Sequence, residues 1–320
     1  MIKKILLVSG DPHSINTEII FKSWKKIKQN TKRKIYLISN YKLIQAQLKK
    51  LNYSLKLIKV DNINQQTKHD CLKLINVDLK FNNPFNVSKK NRSIFVKNCL
   101  NKAHQLASRT KEISIINCAI DKTLLSDEKI GVTEYLATKC KVKKDSEVML
   151  IKNKNLAVIP ITTHIDVKEI SKKINSKKII NKVVSADTWF KKHMKKKPKI
   201  GILGLNPHNA ELRKKSEEIK IIIPAIKKLL KLKIKIKGPL ASDTIFIKDY
   251  KKFDLIVGMF HDQVLSPFKA IFKFDAINVT LGLKYFRVSP DHGTAINLIG
   301  KKIAKPDSLI RCINFLTKIR

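Results

Sequence analysis

With 320 residues, 43% of them hydrophobic, the chain can bury a substantial core and is expected to do so in two lobes rather than one. No apolar run approaches the roughly 18–20 residues of a membrane span, and five scattered cysteines without a CxxC pair exclude a disulfide framework or a zinc knuckle. The net charge of +42 invites a nucleic-acid partner, but the lysines run along the whole chain and arginine, which forks onto phosphate and reads guanine, is scarce, so solvated surface lysine is expected instead.

In chain order, the amino-terminal apolar run is too short for a signal-peptide core, so residues 5–8 read as the first strand and a cytoplasmic location is expected. A helix over about 16–28 follows, with Asn16 and Glu18 suited to its start. Residues 35–39 read as a strand, 41–50 as a helix, and the Asn/Asp-broken stretch 55–87 as short strands only. Residues 93–110 have helical spacing of apolar positions, and 113–116 form a short strand leading into Asn117. A helix begins at Gly131. Then come strand 156–161, helices 166–180 and 181–192, strand 200–205 and a helix over about 216–230. Residues 231–237 alternate lysine with Leu or Ile, the period of a strand with one wet face. Strands 255–260 and 276–280 and a last helix near 306–317 complete the alternation, which predicts an α/β protein with largely parallel sheets.

Three of these strands end alike. Residues 156–161 run into Thr162-Thr163-His164, 200–205 into Asn206-Pro207-His208, and 255–260 into His261-Asp262-Gln263. In open α/β sheets ligands bind beyond the carboxyl ends of the strands. A strand-end histidine can be a polar cap, and three of them can also converge on a divalent metal, whose catalytic sites take about three protein ligands and keep a position open. The spacing leaves both readings standing. Lys269, Asn278 and Arg287 follow His261, and Lys or Arg beside a metal can hold a carboxylate or phosphate. Lys269 is one lysine among many, whereas Arg287 is one of few arginines. In Asp291-His292-Gly293-Thr294-Ala295, a glycine before a hydroxyl residue offers backbone N–H groups to a ligand. GxGxxG and GxxxxGK[ST] are absent, so any nucleotide is held without a Rossmann loop or P-loop.

Together with Gly204-Leu205, Gly238-Pro239-Leu240, Asp243-Thr244 and Asn278-Val279-Thr280-Leu281-Gly282-Leu283, these stretches resemble the 4-hydroxythreonine-4-phosphate dehydrogenase family of vitamin B6 biosynthesis, in order and spacing over roughly residues 131–306. The resemblance implies a two-lobed α/β fold like that of isocitrate and isopropylmalate dehydrogenases. One lobe would hold residues 1–130 plus about 276–320 on the NAD side; the other, 131–275, would carry metal, substrate and dimer contacts. It implies His164, His208 and His261 as metal ligands (zinc, magnesium or cobalt), in a homodimer whose sites draw ligands from both subunits. Thr133, Lys269, Asn278 and Arg287 are implied as substrate contacts, and His292, Gly293, Thr294 and Ala295 as the segment holding NAD or NADP. The reaction implied is oxidation of the C3 hydroxyl of 4-phosphooxy-L-threonine, with the metal as Lewis acid, then decarboxylation to 3-amino-2-oxopropyl phosphate. Asp243 and Asp262 are catalytic candidates, for proton handling or for support of the histidines.

The chain departs from the family pattern in its surroundings. Where the family has Gly-His-Thr-Glu it has Gly131-Val132-Thr133-Glu134, so an imidazole expected to touch substrate is a valine that cannot hydrogen-bond phosphate. After Gly10-Asp11-Pro12, Ser14, Asn16 and Thr17 replace small or rigid residues, His13 is a candidate stand-in for the missing imidazole, and Ala119 replaces a proline. The loop after His208 lacks glycine. Two alternatives follow: a paralogue oxidising 4-phospho-threonate or 4-phospho-erythronate, motivated by Val132, and a non-enzymatic basic nucleic-acid-binding protein on the same scaffold, motivated by the charge.

Overall fold

The computed structural model describes residues 2–65, 71–125, 131–142, 146–273 and 275–319. The chain forms two units, Met1–Cys140 with Leu283–Arg320, and Lys141–Gly282. The first unit opens with β1 (Lys4–Val8), β2 (Ile35–Ser39), β3 (Leu57–Lys59), β4 (Leu72–Asn76) and β5 (Ile113–Asn117), ordered β3-β4-β2-β1-β5 and all parallel. The residues of β2 and β5 are buried throughout, which is why these strands are continuous apolar runs rather than alternating ones. Helices cover them. Lys89–Ala107 turns Phe95, Val96, Cys99, Leu100 and Ala103 inward at helical spacing, and Asn40 caps Tyr41–Lys50 by accepting the Leu43 N–H at 2.9 Å.

The second unit contains β6 (Val148–Lys152), β7 (Ala157–Pro160), β8 (Ile200–Leu203), β9 (Ile236–Leu240), β10 (Leu255–Gly258) and β11 (Ile277–Leu281). Their order is β11-β6-β7-β10-β8-β9, with β6 antiparallel to both its neighbours and the rest parallel. Val158, Leu203, Ile256, Val264 and Phe268 pack in one core beneath the carboxyl ends of β7, β10 and β8. The chain then returns to the first unit with β12 (Arg287–Pro290), parallel to β5.

The α/β class with largely parallel pairing is as expected, and several local features differ. The helix beginning at Val132 belongs to the first unit, and β11 to the second because it pairs antiparallel with β6; the changeovers fall at 140/141 and 282/283 rather than near 131 and 276. Helix Ser176–His193 runs unbroken past 180; the break lies earlier, where Asn175 accepts the Lys178 N–H at 2.8 Å as an N-cap. Helix Ile223–Lys231 ends only where the alternating lysines begin, so β9 takes in Gly238-Pro239-Leu240. Strands β6 and β12 lie outside the expected elements, the latter because Arg287-Val288-Ser289-Pro290 has no strand pattern of its own and becomes a strand by pairing, with β5 among others. No helix among the described residues is long and apolar enough to cross a membrane.

Candidate active site

In the second unit β7, β10 and β8 lie side by side and parallel, so their carboxyl ends form one edge. Thr162 ties the first two ends: its N–H and its Oγ1 both donate to the Met259 carbonyl, at 3.1 and 2.7 Å. Gln263 ties the next two, with Oε1 accepting the Met259 N–H and Nε2 donating to the Gly204 carbonyl, each at 2.6 Å. These ties bring His164 and His261 together, ring centroids 5.6 Å apart. His261 Nδ1 lies 2.7 Å from Asp262 Oδ1. With the Nδ1 proton donated to that carboxylate, the Nε2 lone pair is left for a ligand, the usual arrangement of a metal-bound imidazole.

His208 is mounted separately. Glu218, wholly buried, accepts the Leu205 and Asn206 N–H groups at 2.8 Å and Asn206 Nδ2 at 3.0 Å. Burial pushes its carboxyl up, but the hydrogen bonds from Asn206 and Leu205 outweigh it and hold the group below its ordinary 4.5. Beyond this anchor, His208, Asn209, Ala210, Glu211 and Leu212 all have φ between 49° and 56°, a left-handed conformation that costs a non-glycine residue roughly 1–2 kcal/mol. Among the described residues no group of three or more His, Cys, Asp or Glu could hold a metal ion. One chain therefore assembles two imidazoles, His164 and His261, and leaves His208 apart from them. Asp243, exposed on the Ser242–Ile245 turn, joins no such group either. Lys269 lies half-buried on helix His261–Phe272. Asn278, on β11, has a buried Oδ1 without a hydrogen-bond partner, an acceptor that a hydroxyl or ammonium donor would satisfy.

In the first unit, Arg287 stands at the start of β12, 3% exposed. Its Nε donates to Asn117 Oδ1 at 2.6 Å and its Nη1 to Thr133 Oγ1 at 3.2 Å. Burial lowers the guanidinium to about 10, against the pull of Glu134, so it stays charged at neutral pH. Burial likewise lowers Lys122, and Glu134 again opposes. The amino-terminal loop is tied to the same strand ends. Gly10 (φ 76°) passes so close to the Ala119 carbonyl that a Cβ would collide with it, Asp11 N–H and Asn16 Nδ2 donate to that oxygen at 3.0 and 2.8 Å, and Arg92 clamps the buried Asp11 carboxylate at 2.8 and 2.7 Å. Asn16 and Thr17 thus have structural work: Thr17 Oγ1 bonds Gln47, which also donates to the Pro12 carbonyl at 2.9 Å.

Beyond β12 the chain offers an open cradle. A Cβ on Gly293 would meet nothing within 4 Å. His292 Nδ1 lies 2.9 Å from the Gly293 carbonyl, while its buried Nε2 has no partner. Burial lowers the ring from 6.5, outweighing the Gly293 hydrogen bond and Asp291, so it is neutral at pH 7 and Nε2 is a bare acceptor.

The family described as "Pyridoxal phosphate biosynthetic protein PdxA" matches residues 30–316. The chain belongs to this family. A curated 4-hydroxythreonine-4-phosphate dehydrogenase from Sulfurihydrogenibium sp. is 35% identical over 318 residues, covering 97% of this chain and 96% of that one. Among solved structures, a 4-hydroxythreonine-4-phosphate dehydrogenase from Klebsiella pneumoniae superposes with TM-score 0.84 at 26% identity, covering 99% and 97% of the two chains. A beta-decarboxylating dehydrogenase from Thermococcus kodakarensis, at 11% identity and TM-score 0.54 over 99% and 84%, shares the fold alone. This PdxA-family chain is therefore a dehydrogenase, and its fold is shared with that beta-decarboxylating enzyme. The donor sets are in keeping with such chemistry: two imidazoles suit a divalent metal that takes a further ligand, and the open space at Gly293 with the bare His292 Nε2 suits the amide and hydroxyl donors of a nicotinamide dinucleotide. Asn117, Gln263 and Glu218 are not among the candidate site residues of the sequence reading. The only prior signal for Gln263 was its place in His261-Asp262-Gln263.

Proposed function

We propose that this dehydrogenase oxidises 4-hydroxythreonine 4-phosphate (4-phosphooxy-L-threonine) at its C3 hydroxyl with NAD, a divalent metal and loss of carbon dioxide, giving 3-amino-2-oxopropyl phosphate for pyridoxal phosphate synthesis in the cytoplasm. The observation that carries the reading is the pair His164 and His261, tied by main-chain hydrogen bonds, with Asp262 on Nδ1 of the second ring. When bound, the metal would supply Lewis acidity at the substrate hydroxyl and NAD a hydride acceptor. The remaining roles fall to the chain. Arg287, fixed by Asn117, and Thr133 hold anionic oxygens of the substrate, Lys269 adds a point charge, and Asn278 Oδ1 accepts from a substrate hydroxyl or ammonium. Asp262 orients His261 rather than moving a proton itself. His292 Nε2 and the backbone of residues 293–295 receive the dinucleotide.

A single chain assembles only two of the three imidazoles, so the reading includes a homodimer in which His208 of a second copy completes the ligand set. Mixing two inactive variants tests this. His208→Ala and His261→Ala subunits, refolded together, should regain NAD reduction because a mixed dimer rebuilds one intact set; no regain would sink the shared site. The activity itself is tested by NAD reduction with 4-hydroxythreonine 4-phosphate, with and without chelator. Val132 favours one second reading, oxidation of 4-phospho-threonate or 4-phospho-erythronate, since the family imidazole beside Thr133 is absent. A kcat/KM higher for either of those substrates than for the amino acid would establish it, and Val132→His is then expected to move preference back.

A further inference from the structure

Residues 292–303, which follow β12, are half-exposed or exposed and have no buried apolar side chain of their own. Their backbone includes left-handed Ala295 (φ 47°), Gly300 (φ 81°) and Lys302 (φ 59°). Such a segment keeps its shape only through polar ties. Helix Asn16–Lys26 supplies them at both ends. Ahead of the helix, the Ile15 N–H donates to the Thr294 carbonyl at 3.2 Å. One turn into it, Lys22 Nζ donates to Glu18 Oε1 at 2.6 Å and to the Lys302 and Ala304 carbonyls at 2.8 and 2.9 Å, which uses all three ammonium protons. Glu18 Oε1 also accepts the Ala304 N–H at 2.9 Å.

Glu18 is only 2% exposed. An i,i+4 pair that merely supports a helix sits in water; a carboxylate is buried only where its partners offset the lost solvation. Here one partner is Lys22 of the same helix, and the other, the Ala304 N–H, lies almost three hundred residues away at the end of the segment that carries the open cradle at Gly293.

We propose that Glu18 and Lys22 are positioning residues for the dinucleotide: they hold residues 294–304 so that His292 Nε2 and the space at Gly293 meet the cofactor. This rests on the NAD reading above. In the full-length protein, Lys22→Met, which keeps the aliphatic stem, and the isosteric Glu18→Gln are expected to weaken NADH binding, read by fluorescence, and to raise KM for NAD about tenfold. Values of kcat and of KM for 4-hydroxythreonine 4-phosphate should change little, amide hydrogen exchange at Lys302 and Ala304 of the unliganded protein should speed up, and Lys22→Arg should restore binding. Unchanged NADH affinity despite faster exchange overturns the proposal, as does a KM for the phosphorylated substrate that rises as far as that for NAD. Should Lys22→Met fail to fold, Glu18→Gln carries the same test. Wild-type protein that binds no NADH overturns the cofactor reading, and this proposal with it.

Discussion

The two strand-end constellations are built on opposite terms. In the first unit Arg287 is buried, its charge set among Asn117, Thr133 and Glu134 before any ligand arrives. In the second unit the main chain is tied as tightly, through Thr162 and Gln263, but the side chains those ties present are exposed or half-exposed, and one chain brings together only two of the three histidines. The contrast fits the roles proposed for the two sets. A guanidinium that holds an anion gains from being fixed and desolvated in advance, whereas metal ligands must remain open to a metal and to the donors that complete it.

Four measurements would break or sharpen that contrast. The largest effect belongs to the open site: chelation, or His261→Ala, should cost about 4 kcal/mol, roughly a thousandfold in kcat/KM, and activity that survives both would remove the metal. Next is Arg287→Met. Losing a buried charge whose partners remain should cost about 3 kcal/mol in kcat/KM, with KM for the phosphorylated substrate rising and KM for NAD not; equal rises would make Arg287 structural only. Smaller is Asp262→Asn, expected to weaken metal binding about 10–100-fold by releasing the His261 ring, as measured by competition with a chelating dye; unchanged affinity would assign Asp262 elsewhere.

The smallest effect concerns the mount of the His208 loop. Because the folded value of Glu218 lies below 4.5, its contribution to stability is complete above that pH and is lost as pH falls through the folded value. Glu218→Gln should therefore be about 1 kcal/mol less stable at neutral pH, and the gap should close in acid. A constant difference across pH would contradict the hydrogen-bond account.

Much was legible in advance, and residue by residue the reason is local. Apolar runs bounded by polar clusters located β1, β2, β5, β7, β8, β10 and β11, and the histidines beyond β7, β8 and β10 pointed to one edge of a sheet or to a meeting of two sheets. Where periodicity was ambiguous the reading slipped: the lysine-alternating stretch after Leu230 spends its first residues finishing a helix, and the strand starts only at Ile236. Residues 14–17, which depart from the family pattern, became intelligible only with their partners, Ala119, Gln47 and Asp11, beside them.

What the chain's order of residues determined by itself was the α/β class, the strand ends proposed to carry chemistry, and the family to which the chain belongs, since each depends on short-range pattern and motif spacing. Tertiary structure alone decided which of those ends meet: that Thr162 and Gln263 draw His164 and His261 together while His208 stays apart, that Asn117 receives Arg287 from 170 residues away, and that Glu18 and Lys22 grip the Gly293 segment. Hydrogen bonds between residues so distant in sequence leave no periodic trace in it, and they appear only once strand order and register have been set.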